Sequence, residues 1–519
     1  MSTQSFLAKN SMIVAIILGL SAVLGVFRES SVAYMFGATK ATDAYLIAMT
    51  IPNLFIGVIN GSITKTYITV YGGYLAQERT EDAWRTTNIL LSSMLILLLA
   101  LLMLSLVFSG LFVHLLAPSF SGERLKLTVE LTRIVLPSIL FVPIIGILTG
   151  INNTHNSFIT PAMNGLVSNI ITILCIFSLG SVWGIYGLAL GSLLAILAQF
   201  ILQIPSAYKH GFRFHYVLDW HDPGIREMLI LVTPFILSAA TSQLNIIVGP
   251  ILATGLTEGT ISALYFANKL VFLPQVIFTG AIGTVVFPML VRAAAKDDWT
   301  KMLEGISQAL RLLLLILLPS VVGLYVLRHS LVKLMFEHGE FTTAQTQLTA
   351  DTIPYLLPAL VFSGIVSMLV YIYVATKSMA VPVFTGLISV VVNIGFSLWL
   401  IVPLMQKGLA LASSISAIVN ALLLAFFLIR ILNLHKKTWL SMSDLLRFAM
   451  RVWIASVIMG IAVWGLGELL GPFTNGVRGN AVLVISSILL GLVVYIYTAY
   501  VLHIEELYNK IRSLRTRLQ

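Results

Sequence analysis

Five basic residues, Arg28, Lys65, Arg133, Lys269 and Arg311, fall inside or beside long apolar runs. A charge within a membrane-spanning helix costs about 2.5–3.5 kcal/mol on insertion scales, so each is a candidate for function. Arg133 and Arg311 lie within a turn or two of the expected starts of their helices, where a long stem lets the charged head snorkel to the interface. Arg28 and Glu29 differ, because they follow the uncharged stretch Asn10–Phe27. Neighbouring residues on a helix diverge by about 100°, so the two are expected to need separate partners: water in a cavity, a substrate or a residue of another helix. Asp43, entering the second apolar run, is the other acidic group expected to reach this interior. An Arg28–Asp43 ion pair is one use for the pair. Substrate contact is the favoured one, because a guanidinium grips a pyrophosphate through a bidentate fork. Lys269, within Tyr265-Phe-Ala-Asn-Lys-Leu, adds a cation. With Arg28 and Lys65 it makes a cationic patch suited to an anionic head group and hostile to organic cations.

Catalytic chemistry is not in view. The chain has no H-E-x-x-H, no G-x-S-x-G, no glycine-rich phosphate loop ending in lysine and no cysteine/histidine metal spacing. His215, Asp219, His221 and Asp222 cluster in one polar connection, which reads as solvated surface and not as a metal site. Cys175 is the single cysteine and lies in an apolar segment, so it forms no intramolecular disulfide and is expected to be an inert packing residue. The expectation is a transporter with no cofactor or metal, and not an enzyme.

The elements that carry these residues follow from composition. The chain is 58% hydrophobic and 10% charged, against roughly 25% charged in a soluble domain. Runs of about 20 apolar residues, enough to cross a bilayer, recur along it. Fourteen spans are expected, near 11–35, 41–73, 88–117, 128–151, 159–180, 184–205, 227–254, 259–291, 306–327, 345–375, 381–403, 408–432, 447–469 and 480–503. The longest polar connections, around Ser206–Arg226 and Leu327–Gln347, are expected to be linkers or short surface helices. The first apolar segment, Met12–Gly25, lacks a basic n-region and a cleavage motif, so it reads as a retained helix. The net charge of +10 is not a nucleic-acid signature. Most Lys and Arg, including Lys209, Arg213, Arg226, Arg292, Lys436, Lys437 and the tail Lys510–Arg517, fall on one side of the expected spans. By the positive-inside rule that side is the cytoplasm and holds both termini. The tail needs no partner beyond anionic lipid head groups.

The chain also repeats itself. Pro161-Ala-Met-Asn-Gly165-Leu-Val-Ser matches Pro382-Val-Phe-Thr-Gly386-Leu-Ile-Ser, and Gly187-Leu-Ala-Leu-Gly-Ser matches Gly408-Leu-Ala-Leu-Ala-Ser, both at an offset of 221 residues. Six spans separate the copies, so both halves share one orientation. Parallel repeats related by an axis along the membrane normal are a transporter architecture with substrate bound between the halves. The expected fold is all-α: two six-helix lobes in a parallel pseudo-two-fold repeat, followed by two extra helices. The expected boundaries are 1–222 for the first lobe, 223–440 for the second, and 441–519 for the extra pair and basic tail. The later spans of the second half are nearly free of charge, which fits either an apolar groove for a lipid tail or tight helix packing.

Several segments resemble one family. They are Ser21-Ala-Val-Leu-Gly-Val-Phe-Arg-Glu, Phe36-Gly-Ala with Ala41-Thr-Asp-Ala-Tyr, Ile51-Pro-Asn-Leu, Ser242-Gln-Leu-Asn245, Tyr265-Phe-Ala-Asn-Lys-Leu-Val-Phe-Leu-Pro, Gly280-Ala-Ile-Gly-Thr-Val-Val-Phe-Pro and His338-Gly-Glu-Phe341. Together they resemble the MurJ/MviN lipid II flippases of the multidrug/oligosaccharidyl-lipid/polysaccharide exporter superfamily. The resemblance covers almost the whole chain. It implies fourteen helices in two lobes, a cationic cavity and alternating access driven by Na+, H+ or the membrane potential. It also implies an undecaprenyl-diphosphate-linked glycan, lipid II, as cargo in a bacterial inner membrane. Arg28 and Asp43 match cavity positions of the family, and Lys269 stands at a position usually held by arginine. Asn245, Asn393 and Ser397 are the ion-binding candidates, with Ser397 standing where an acidic residue is expected. Ala22, Ile56 and Gly57 replace further family arginines. The competing readings are a flippase for another lipid-linked glycan, a drug or cation antiporter, a membrane-embedded glycan polymerase or ligase, and a non-transporting scaffold. The basic excess argues against the antiporter, and the short outer loops argue against the enzyme.

Overall fold

The computed structural model describes residues 3–434, 442–471 and 476–504. Lys436, Lys437 and the tail Lys510–Arg517 lie outside the described residues. Within them the chain is helical, with no strand. The first two spans comprise α1 (Thr3–Phe36), then α2 (Lys40–Ala48), α3 (Thr50–Phe55) and α4 (Gly61–Ala76), with a π-helical turn, Ile56–Asn60, between the last two. There follow α5 (Thr80–Val107), α6 (Ser109–Leu116), α7 (Gly122–Val135), α8 (Ser138–Thr154), α9 (Ile159–Trp183), α10 (Ile185–Lys209), α11 (Pro223–Ala253) and α12 (Thr260–Ala294). The chain continues through α13 (Trp299–Phe336), α14 (Thr343–Ala375), α15 (Ala380–Leu404), α16 (Gln406–Leu434), α17 (Met442–Leu470) and α18 (Gly476–Val501). Among the described residues, fourteen stretches are long and apolar enough to cross a membrane. Large apolar side chains such as Val23, Leu97, Val182, Trp399 and Val402 point outward, as a hydrocarbon-facing surface requires. The chain is a multi-pass membrane protein.

Local chemistry sets the helix starts. Thr39 accepts a hydrogen bond from the Thr42 amide at the head of α2. Asp222 caps α11 by accepting from the Gly224 and Ile225 amides, with Pro223 at the first position. Thr342 and Gln345 form a reciprocal capping box on α14.

Three expectations need correction. The third span starts at Thr80 and ends at Val107, not at 88 and 117, because the helix breaks at Phe108 before the short α6. Leu327–Gln347 is not a linker: α13 runs to Phe336 and α14 begins at Thr343, so charged residues on those stretches cap the ends of spanning helices. Arg133 and Arg311 also lie about three turns past the helix starts, since α7 begins at Gly122 and α13 at Trp299, and Arg133 stands in the last turn of α7.

The chain divides into two compact units, 1–262 with 338–341, and 263–337 with 342–519. In the first, α8 and α10 pack centrally, with α1 against α9 and α4 against α8 and α11. Its core includes Tyr67, Tyr71, Leu91, Ile147 and Ile151. In the second, α14, α15 and α16 pack together, and α17 and α18 join α13 around Leu314, Val452, Ala455, Met459 and Tyr495. Packing therefore groups α11 with the helices before it, whereas the sequence repeat opens its second copy at 223.

The 221-residue offset is built into the helices of each unit. The start and end of α9, Ile159 and Trp183, correspond to those of α15, Ala380 and Leu404. The turn after α9 is made by Gly184 at φ +57°, and the turn after α15 by Met405 at φ +51°. Three residues on, Gly187 lies against the Leu179 backbone, and its counterpart Gly408 lies against the backbone of Leu400.

Candidate functional site

Arg28 is positioned by the contact of α1 with α9. Glycine permits that contact: a Cβ on Gly165 would sit 2.5 Å from Ser21 Oγ. At the same crossing Asn169 donates to the Ser21 carbonyl at 2.9 Å and accepts from Arg28 Nη1 at 3.0 Å. Arg28 Nη2 reaches Glu29 Oε1 at 2.5 Å. The arginine side chain is 27% exposed and the glutamate 7%. Arg28 stands eight residues before the end of α1, about 12 Å at 1.5 Å per residue. Sequence reasoning expected separate partners for Arg28 and Glu29. The structure supplies the other-helix partner, Asn169, but also pairs the two directly. Cβ directions diverge by 100°, yet a three-carbon stem carries the guanidinium back across that angle.

Asp43 does not pair with Arg28. It is 0% exposed and takes four hydrogen bonds: from Arg124 Nη2 (2.8 Å), the Gly259 amide (2.8 Å), the Ser262 amide (2.8 Å) and Ser262 Oγ (2.6 Å). Arg124 lies over the Phe120 ring at 3.8 Å, and Lys40 pairs with Glu258 at 2.9 Å beside it. Two glycines make the close approach possible. Gly259, at φ +79°, would place a Cβ 2.3 Å from the Ala38 carbonyl oxygen. Gly339, at φ +59°, would place one 2.2 Å from that of Tyr34. The Glu340 amide then donates to the Tyr34 carbonyl at 2.9 Å. The turn between α1 and α2 is thus clasped by α7, by the head of α12 and by the turn 338–341. In this conformation the Asp43 carboxylate has no surface left for a substrate.

The other expected site residues lie on several helices of the two units. Lys65, exposed on α4, lies 5.8 Å from the Phe235 ring of α11. Lys269, exposed on α12, lies 5.1 Å from the Tyr265 ring one turn back. Arg133, exposed in the last turn of α7, donates from Nε to Ser109 Oγ at 2.9 Å, and Arg311, half-buried, lies over the Phe448 ring at 5.4 Å. Asn245 is half-buried on α11 of the first unit. In the second unit Asn393 and Ser397 are buried on α15, with Ser397 Oγ donating to Asn393 Oδ1 at 3.2 Å. They continue a buried polar row with Thr385 and Ser389, spaced one helical turn apart. Ile56 lies in the π-helical turn. Gly57, beside it, is overlain by the Gln243 side chain, whose Nε2 would be 2.1 Å from a Cβ there.

In the polar connection, Asp219 pairs with Arg85 at 3.0 Å and Asp222 accepts from Thr86 Oγ1 at 3.0 Å. Among the described residues no three His, Cys, Asp or Glu side chains are grouped to hold a metal ion. Sequence reasoning missed Asn169 and Arg124. The signal for Asn169 was its place one turn after Gly165, on the small-residue face of α9. No local signal marked Arg124, whose partner is 81 residues away.

Comparison with known proteins gives a consistent result. The family model described as "Lipid II flippase MurJ" matches residues 32–477. A Rickettsia prowazekii protein described as "Probable lipid II flippase MurJ" is 25% identical over 96% of this chain and 98% of its own length. The "Lipid II flippase MurJ" of Burkholderia cenocepacia is 26% identical over 86% of this chain and 87% of its own. A solved structure, "Lipid II flippase MurJ, inward closed conformation", superposes with a TM-score of 0.80 at 26% identity, covering 95% of this chain and 99% of that one. An inward-facing multidrug resistance MATE family transporter superposes at 0.68 with 15% identity, which speaks to fold alone.

Proposed function

The chain belongs to the lipid II flippase MurJ family, and on that footing we propose that it carries lipid II from the cytoplasmic to the outer leaflet for peptidoglycan synthesis. The observation that carries this reading is Arg28, a partly exposed guanidinium held at membrane depth and oriented by Asn169 and Glu29. A planar fork in a low-dielectric site suits the diphosphate of a polyprenyl-diphosphate-linked glycan. Lys65 and Lys269 are the proposed auxiliary cations. Glu29 balances the arginine when no cargo is present.

Both termini are proposed to face the cytoplasm, as the distribution of Lys and Arg favours. The Asp43 clasp then lies at the outer end of the first unit, where its opening is proposed to accompany release of the head group. Asn393 and Ser397 offer only neutral oxygens, so they hold no sodium ion by charge. Neutral oxygens can still coordinate sodium, so a sodium gradient, a proton gradient and the membrane potential are all proposed energy sources.

The test is replacement. A bacterium is depleted of its own lipid II flippase, this protein is expressed, and lipid II at the outer face is measured with an outer-face enzyme that cleaves it. Exposure restored by the parent and lost in Arg28→Ala is the expected result. Failure by a correctly inserted parent would overturn lipid II as the cargo.

A further inference from the structure

The connection between α10 and α11 has no regular secondary structure from Phe212 to Asp219, yet its contacts follow a period of two. Arg213, His215, Val217 and Asp219 all bond back to α5. Asn88 donates to the Arg213 carbonyl at 3.1 Å and accepts from the His215 amide at 2.9 Å. Ser92 Oγ accepts from the Val217 amide at 3.2 Å, and Arg85 holds Asp219. Asn88 thus stands in for one residue of a paired strand, exchanging both a donor and an acceptor with the segment. The alternate residues expose apolar side chains, Phe214 at 44%, Tyr216 62%, Leu218 42% and Trp220 63%, while Arg213 and His215 carry exposed polar ones. Every second position from 214 to 220 is therefore an exposed aromatic or aliphatic residue.

The depth of this stripe can be read from α5. Its apolar run begins at Ile89 and continues to Val107. That run rises about 28 Å at 1.5 Å per residue, close to the roughly 30 Å of a bilayer's hydrocarbon core. Asn88 accordingly marks the hydrocarbon boundary. A segment tied to Asn88 and Ser92 lies at that boundary or one turn inside it. Backbone at such a depth must have its polar groups satisfied, which the Asn88 and Ser92 side chains do at Arg213, His215 and Val217. Tyr and Trp are the residues that favour this level, with an apolar ring body and a polar tip. Lys209, Arg213 and Arg226 flank the stripe with positive charge, and Arg213 lies over the Tyr208 ring at 4.9 Å.

We propose that Phe214, Tyr216, Leu218 and Trp220 form a lipid-binding ribbon, seated in the head-group region of the leaflet at this end of the protein. Its occupant is phospholipid. The ribbon ends at Asp222, the cap of α11, so the bilayer grips the foot of that helix directly. This assignment rests on the membrane-spanning fold and is independent of the cargo.

The test uses site-directed spin labels in the full chain with Cys175→Ser, reconstituted in phosphatidylethanolamine/phosphatidylglycerol vesicles. Cysteines are placed singly at 213 to 220, and collisions with oxygen and with a water-soluble nickel chelate are compared. Labels at 214, 216, 218 and 220 should favour oxygen, and those at 213, 215 and 219 should not. Uniform exposure to the nickel reagent would overturn the proposal. Because labels can disturb a short segment, Trp220 is also probed in the parent, using Trp220→Phe for subtraction. Its emission should be quenched by lipids brominated near the carbonyl and little by aqueous acrylamide. The reverse ranking would overturn the proposal.

Discussion

Asp43 and Ser262, separated by 219 residues, meet through two hydrogen bonds, one from the Ser262 amide at 2.8 Å and one from its hydroxyl at 2.6 Å. With Arg124 and the Gly259 amide they saturate a carboxylate that has no exposed surface. Removing one partner of such a pair leaves the other charge stranded, at a cost of about 3–5 kcal/mol. Asp43→Ala should lower the thermal midpoint in detergent and abolish transport. Asp43→Asn keeps a hydrogen-bonding side chain and should retain more stability. With Ala38→Cys and Cys175→Ser, an impermeant maleimide added outside should label the Asp43→Asn variant faster than the parent, because Ala38 is buried under Gly259. Equal labelling would argue against the clasp as a gate.

Arg28 should not tolerate lysine. An ammonium keeps the charge but cannot hold Asn169 and present a planar fork at once. Arg28→Lys is expected to lose at least about tenfold in lipid II exposure, and Arg28→Ala all of it. A hydrogen bond to a charged group contributes about 1.5–3 kcal/mol, and 1.4 kcal/mol is tenfold, so Asn169→Ala should cost roughly tenfold or more. Immunoblotting of membranes checks that each variant inserts.

Glycines at repeat-related positions should respond alike. Gly187→Ala and Gly408→Ala each drive a Cβ into backbone, at 2.3 Å from Leu179 and 2.2 Å from Leu400, and both should lower the thermal midpoint. Gly165→Ala meets only the Ser21 hydroxyl, which can rotate away, and should be milder. Met405→Gly should be neutral or raise the midpoint, because left-handed backbone costs a non-glycine residue about 1–2 kcal/mol. Its counterpart in the first unit is already Gly184.

Stability should fall on acidification through the His155 pair. His155 stacks on His210 at a centroid distance of 4.6 Å, and its Nε2 lies 3.0 Å from the Tyr71 hydroxyl. Burial, and then the neighbouring His210, hold it below its ordinary value of 6.5. The unfolded chain therefore takes up this proton more readily, so the stability present above about pH 6.5 is lost as pH drops below it. The thermal midpoint should fall between pH 7.5 and 5.5, and His155→Gln should shrink that fall.

Several candidate residues were legible before folding was considered. Arg28 and Glu29 stand out because charge at membrane depth is costly, and Lys65 and Lys269 stand out for the same reason. Asn169 was less visible, since a single amide in an apolar helix has many uses. Arg124 was invisible as the partner of Asp43, because nothing local distinguishes it from any surface arginine. The aromatic alternation from Phe214 to Trp220 was present in the letters, but its meaning depends on which way the backbone is pinned.

The sequence by itself determined the number of spans and the repeat, and it singled out the basic residues within the apolar runs. These depend on composition, apolar run length and a constant offset, all of which are properties of the chain read in order. Only the tertiary structure decided that Arg28 leans on Asn169 and Glu29, that Asp43 is closed off by Arg124, Gly259 and Ser262, and that α11 packs with the helices before it. Those are contacts across tens to hundreds of residues. They depend on which helix faces meet, and that is settled by glycine clearances and side-chain reach.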